Sequence, residues 1–172
     1  MGGGDKPLLE LGGQTMLARI LATLRQDHAT VAISANGDPA RFAPLAAPVL
    51  DDGAFAGEGP LAGLLAGLDW AGALLTVPGD TPFIPRGLAA RLAPGPACAE
   101  TAGRPHWLVA LWPVVLRVEL RHWLETGGSR RVEAFAGHAG VRRAVLTGAE
   151  KLFLNVNTPA DLAAARERLR DG

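Results

Sequence analysis

Three short apolar runs constrain this chain more than any other feature. Val31 to Ser34 leads into Asn36-Gly37-Asp38, Val49-Leu50 into Asp51-Asp52-Gly53, and Leu74 to Val77 into Pro78-Gly79-Asp80-Thr81-Pro82. Aspartate is a poor strand residue, so each acid belongs at a loop edge where a strand has ended. Between the runs lie segments with helical spacing. Thr15 to Arg25 carries Met16, Leu17, Ile20, Leu21 and Leu24 on one face, with Thr15 placed to cap its start. Pro60 to Leu68 opens on proline, the favoured first helical residue, and turns Leu61, Leu64, Leu65 and Leu68 inward. Strands alternating with helices predict an α/β domain, Rossmann-like and doubly wound, with a mainly parallel sheet flanked by helices.

The second half continues less regularly. Pro85 to Leu92, Val114 to Leu124, Arg130 to Phe135 and Pro159 to Arg170 read as helices, the last capped by Thr158 with Asp161 at its positive end. Trp107 to Leu111, Val141 to Leu146 and Leu152 to Val156 read as strands. A length of 172 residues suits a single domain, 1–172. A formal net charge of zero calls for neither nucleic acid nor an anionic membrane surface. Every apolar run is far shorter than a membrane span, and no signal peptide is evident, so the cytoplasm is the expected location. The one cysteine, Cys98, excludes an internal disulfide and reads as a small buried hydrophobe.

Ligands of open α/β sheets bind beyond the carboxyl ends of the strands. Ser34, Asn36, Asp51, Asp52 and Asp80 all fall there, and together they predict one shared site. Gly59-Pro60-Leu61-Ala62-Gly63 opens a helix whose free N–H groups and small residues suit a phosphate or a flat base. Met1-Gly2-Gly3-Gly4-Asp5-Lys6-Pro7 sets one of only two lysines after a flexible turn; it suits phosphate binding and equally suits a frayed terminus. Asn155 and Asn157, two of only three asparagines, fall on one side of an extended segment and can bracket a polar heterocycle or a phosphate.

These segments, in this order and spacing, closely resemble the molybdenum cofactor guanylyltransferases, with Gly128-Ser129-Arg130-Arg131-Val132 adding to the likeness. The resemblance implies transfer of GMP from GTP to Mo-molybdopterin, giving a guanine dinucleotide cofactor and pyrophosphate. It implies Mg²⁺ held by Asp80, triphosphate charge neutralised by Lys6, and nucleotide contacts from Gly3, Gly4, Ser34, Asn36, Asp52, Gly59, Pro60 and Leu61. It puts Asn155, Asn157 and Arg130 on the pterin side, and implies transient contact with cofactor-delivery proteins and molybdoenzymes. Ser34 stands where an asparagine is usual, and Arg104-Pro105-His106-Trp107 replaces a His-Pro pair; His106 is expected in a loop and not as a base. Two alternatives stay open: a related nucleotidyltransferase acting with CTP or on a sugar phosphate, and an inactive relative that only binds.

The resemblance also places a strand and the first half of a glycine loop ahead of Met1. Without that strand, those at Val31 and Leu74 are expected to face a gap with unpaired backbone groups. Each such group costs on the order of 1–3 kcal/mol when buried, against a total stability of about 5–15 kcal/mol. The expectation is that the start was assigned too late or the chain was cut; a decayed paralogue is the third account.

Overall fold

A computed structural model describes residues 6–171; Gly3 and Gly4 therefore lie outside the described residues. Strands β1 (Ile33–Ser34) and β2 (Val49–Leu50) form a small parallel sheet. Strands β3 (Ala73–Thr76), β4 (Ala97–Thr101), β5 (Arg104–Pro113) and β6 (Arg142–Val145) form a larger one, in the order β3-β5-β4-β6. The larger sheet is mixed: β5 runs antiparallel to both β3 and β4, while β6 lies parallel to β4. The turn between β4 and β5 explains this. Ala102 and Gly103 both take positive φ, 47° and 75°, as a two-residue hairpin requires, and a hairpin can join only antiparallel strands.

The described residues form six helices, α1 (Met16–Asp27), α2 (Pro60–Trp70), α3 (Leu88–Leu92), α4 (Leu116–Glu125), α5 (Val132–His138) and α6 (Pro159–Asp171), of which α6 packs on Leu11 and the start of α1 and not on a sheet. Thr15 caps α1 as expected, accepting from Ala18 N at 3.1 Å. Alternate residues of β4 and β5 serve opposite faces of the larger sheet. Cys98, Ala110 and Trp112 pack with α2, α4 and α5; Ala97, Ala99 and Val109 pack with α3. Burial pushes the Cys98 thiol up, in keeping with a packing role.

Helix α2 bridges the two sheets, and its glycines allow the approach. A Cβ on Gly63 would fall 2.3 Å from Ser34 Oγ, and one on Gly67 would fall 2.5 Å from Leu74 Cδ2. Between β1 and β3 runs an apolar cleft of about 940 Å³, walled by Leu17, Leu21, Leu24, Ile33 and Leu74. Among the described residues β1 pairs only with β2, and β3 only with β5, and the cleft lies between them.

The backbone at that edge makes a measurable statement. Ile33 N donates to Pro48 O at 2.8 Å and Ala35 N to Leu50 O at 3.0 Å. Strand amides alternate in direction, so Ser34 N–H points away from β2, toward the cleft. In native-state hydrogen exchange Ser34 is expected to exchange well ahead of Ile33 and Ala35. Equal protection at the three amides would mean that the Ser34 edge is paired.

Two sequence expectations fail here. Leu152 to Val156 is not a strand: Glu150–Phe153 forms a 3-10 turn, and the extended residues after it join no ladder, being tied by a bond from Val156 N to Asp80 O at 2.8 Å. His106 lies inside β5, not in a loop. It hydrogen-bonds Thr101 Oγ1 at 2.7 Å and packs at a tilt on Phe153, with ring centroids 4.9 Å apart. Burial, and the Arg104 charge behind it, lowers its pKa.

Candidate functional site

The strand ends β1, β2 and β3 open into a second cleft of about 470 Å³. Ser34 and Asn36 enter it from β1, Asp52 from β2, Gly59 and Pro60 from the start of α2, and Pro78-Gly79 from β3, with Leu108 and Trp112 as apolar floor. Ser34, Asn36 and Asp52 thus share one cleft with the start of α2.

Register decides which aspartate takes part. Ile33 pairs with Val49 and Ser34 with Leu50, so the same offset sets Asn36 abreast of Asp52. Asn36 Nδ2 donates to Asp52 Oδ2 at 2.6 Å, and Asp52 N donates to Asn36 Oδ1 at 3.0 Å. The amide thus holds both the backbone and the carboxylate of Asp52. Asp51 turns away and accepts from Gly53 N at 2.7 Å, an ordinary Asx turn.

Helix α2 presents its positive end to the same cleft. Gly59 takes φ +77°, a conformation that suits glycine, and Pro60 follows at the first helical position. The Leu61 side chain is fully buried in the core, and the residue is not among those lining the cleft.

Asp80 follows Pro78-Gly79 in the loop after β3; those two residues line the cleft, whereas Asp80 is not among its lining residues. Val156 N fixes its carbonyl, and the Thr81 hydroxyl lies 3.4 Å from Asp80 Oδ1. Lys6 begins a 3-10 turn, and its neighbour Pro7 packs on Gly79: a Cβ there would fall 2.9 Å from Pro7 Cγ. The lysine segment and the Asp80 loop therefore meet. Asn155 also joins them, accepting from Thr81 Oγ1 at 3.1 Å.

Asn157 and Arg130 stand apart from this cluster. Asn157 is exposed, and its backbone N–H serves Asp161. Arg130 forms a two-pronged ion pair with Glu58, in which Nη2 donates to Oε1 at 2.8 Å and Nε meets Oε2. Residue patterns missed Glu58 because its partner lies 72 positions away. They also missed Thr81, which is 1% exposed; a polar residue between an acid and a proline was its only signal.

Asp161 has a role of its own. Bonds from Asn157 N, Thr158 Oγ1 and Thr158 N hold its carboxyl below the usual carboxylate range. A folded pKa below the unfolded one adds stability above the unfolded value, near 4, and that stability is lost as pH falls through the folded value. Asp161→Asn is therefore expected to lower the melting temperature at pH 7, with the gap to the parent closing below about pH 4. A gap independent of pH in a melting series would remove the carboxylate from this role.

Asp80 offers a divalent cation a single carboxylate donor and not a cage. Among the described residues no group of three His, Cys, Asp or Glu side chains is placed to hold a metal. Mg²⁺ is commonly bound by one or two carboxylates together with substrate phosphates and water. Asp80, whose carboxylate receives only the long Thr81 contact among the described residues, fits that mode.

Comparison with known proteins places this geometry. The family model described as the MobA-like NTP transferase domain matches residues 1–145. The chain is 51% identical over 170 residues to the molybdenum cofactor guanylyltransferase of Acidiphilium cryptum, covering 96% of this chain and 87% of that protein. The chain belongs to this family, the MobA-like NTP transferases. Its fold is that of solved nucleotidyltransferases. Molybdopterin-guanine dinucleotide biosynthesis protein A from Archaeoglobus fulgidus superposes with a TM-score of 0.76 at 20% identity, covering 99% of this chain and 93% of that one. The 2-C-methyl-D-erythritol 4-phosphate cytidylyltransferase of Thermus thermophilus superposes with a TM-score of 0.67 at 22% identity, covering 98% and 95%. Among the described residues no helix is long and apolar enough to cross a membrane.

Proposed function

We propose that this MobA-like chain transfers GMP from GTP to the terminal phosphate of Mo-molybdopterin and releases pyrophosphate. The observation that carries the reading is the single cleft joining Ser34, Asn36 and Asp52 to the start of α2 and to Pro78-Gly79, the two residues that precede Asp80. We read residues 1–172 as one nucleotidyltransferase-like domain acting in the cytoplasm, with transient contact to proteins that deliver or receive the cofactor.

In this reading a phosphate oxygen of the acceptor attacks the α-phosphorus of GTP in line. The bond from that phosphorus to the α–β bridging oxygen breaks, and pyrophosphate leaves. The attacking oxygen is already ionised, so no general base is needed, and catalysis reduces to positioning and charge. Asp52, held by Asn36, contacts the nucleotide together with Ser34. The α2 start and Gly59 receive its backbone or base, and Gly3, Gly4 and Lys6 its phosphates. Mg²⁺, held by Asp80, would supply charge neutralisation on the phosphates. Asn155, Asn157 and Arg130 serve the pterin side, where Arg130 must part from Glu58 or share it.

The test is pyrophosphate release with Mo-molybdopterin and Mg²⁺, with GTP and CTP in competition. Release that requires GTP supports the reading. Tighter use of CTP would replace the guanylyl donor by a cytidylyl one. Binding of nucleotide without release from the longest native form of the protein would make it a binding relative.

A further inference from the structure

Thr81 has no part in the reaction described above, yet it is the most deeply buried polar side chain at the site, at 1% exposed. Its hydroxyl has one proton and two neighbouring acceptors: Asn155 Oδ1 at 3.1 Å and Asp80 Oδ1 at 3.4 Å. The shorter bond takes the proton. A second tie runs parallel to it, from Val156 N to Asp80 O at 2.8 Å. Two segments far apart in sequence are thus locked together by one side-chain bond and one backbone bond.

The consequence lies in how an amide is built. An asparagine carries one acceptor and one two-proton donor on a freely turning end. With Oδ1 engaged by Thr81, the Asn155 amide has a fixed orientation, and Nδ2 is turned away from the Thr81 hydroxyl. We infer that Thr81 is a positioning residue: it orients the Asn155 amide so that its NH₂ presents two donors to an anionic or carbonyl-bearing substrate beside Asp80. The inference rests on the proposed function for the identity of that substrate, but the orientation itself does not. Thr81 also makes only the long contact with the Asp80 carboxylate, whose oxygens remain available as acceptors.

Thr81→Val keeps the branched shape and removes the donor, whereas Thr81→Ser keeps the donor. The chain has only three asparagines, so their side-chain amides can be resolved in a ¹⁵N–¹H spectrum of the unliganded protein. In Thr81→Val the Asn155 NH₂ pair is expected to shift or broaden, while those of Asn36 and Asn157 stay in place; Thr81→Ser restores it. In the pyrophosphate assay Thr81→Val is expected to raise KM for Mo-molybdopterin about three- to tenfold, the worth of one net hydrogen bond, with KM for GTP unchanged and Thr81→Ser near the parent. An Asn155 resonance unmoved in folded Thr81→Val overturns the inference. So does a loss of melting temperature with the spectrum and both KM values unchanged, which would make Thr81 merely structural. If the parent releases no pyrophosphate, the proposed function fails while the spectrum still decides the role of Thr81.

Discussion

Asp80→Asn is expected to lower pyrophosphate release about a hundred- to thousandfold, the cost of losing one preorganised charge-stabilising group. The argument begins with what the substitution leaves intact. Asparagine matches aspartate in shape, and the bond from Val156 N reaches the backbone carbonyl of residue 80, not its side chain. The Thr81 contact is long, and its proton already serves Asn155. The loop should therefore keep its place, and melting should change little. What is lost is the negative charge. A neutral amide oxygen is a poor ligand for a hard divalent cation, which prefers carboxylate. Two readouts check this: turnover at saturating Mg²⁺, and the Mg²⁺ concentration giving half the maximal rate, which should rise. Unchanged values for both would take Asp80 out of the metal role and turn attention to acids outside the cleft.

The contrast between Asp51 and Asp52 shows where sequence reading stops. Both acids follow the same short strand, and residue type alone cannot separate them. Strand register does: with Ile33 opposite Val49, Asn36 falls opposite Asp52 and Asp51 is left to its own turn. Helix signals were legible because they are local. Thr15 capping α1 and Pro60 opening α2 each depend on neighbours a few residues away. Strand β4 escaped notice because Ala-Cys-Ala lacks the branched and aromatic residues of ordinary strands, its pairing being set by the Ala102-Gly103 hairpin and the cover of helices on both faces. Leu152 to Val156 had the opposite character, an apolar composition with no strand to pair with. The Thr81–Asn155 and Glu58–Arg130 bonds link positions 74 and 72 residues apart, and no local pattern announces them.

Trp112→Ala is expected to destabilise the protein by about 3–5 kcal/mol, the usual cost of emptying a buried aromatic site. Set against a total stability of about 5–15 kcal/mol, that is enough to unfold a marginal chain. Trp112 is fully buried and faces Leu74 across the β3–β5 ladder. Its ring stacks on Phe135 of α5 at 6.3 Å, and its indole N–H donates to Thr76 Oγ1 at 2.9 Å. One side chain thus ties the edge strand β3, the strand β5 and a covering helix. Trp70, 37% exposed at the end of α2, supplies the control; Trp70→Ala is expected to cost well under half as much, as exposed positions do. The check is the urea midpoint of each variant. Trp112 also floors the cleft proposed to hold the nucleotide, so its loss should reduce GTP binding as well as stability. A ligand that binds only the folded state stabilises it in proportion to the logarithm of one plus its concentration divided by Kd. Saturating GTP should therefore raise the midpoint of the parent and of Trp70→Ala alike, and that of Trp112→Ala by less. Equal midpoints for Trp112→Ala and Trp70→Ala would show that the floor of the cleft is not part of the core that holds the larger sheet together.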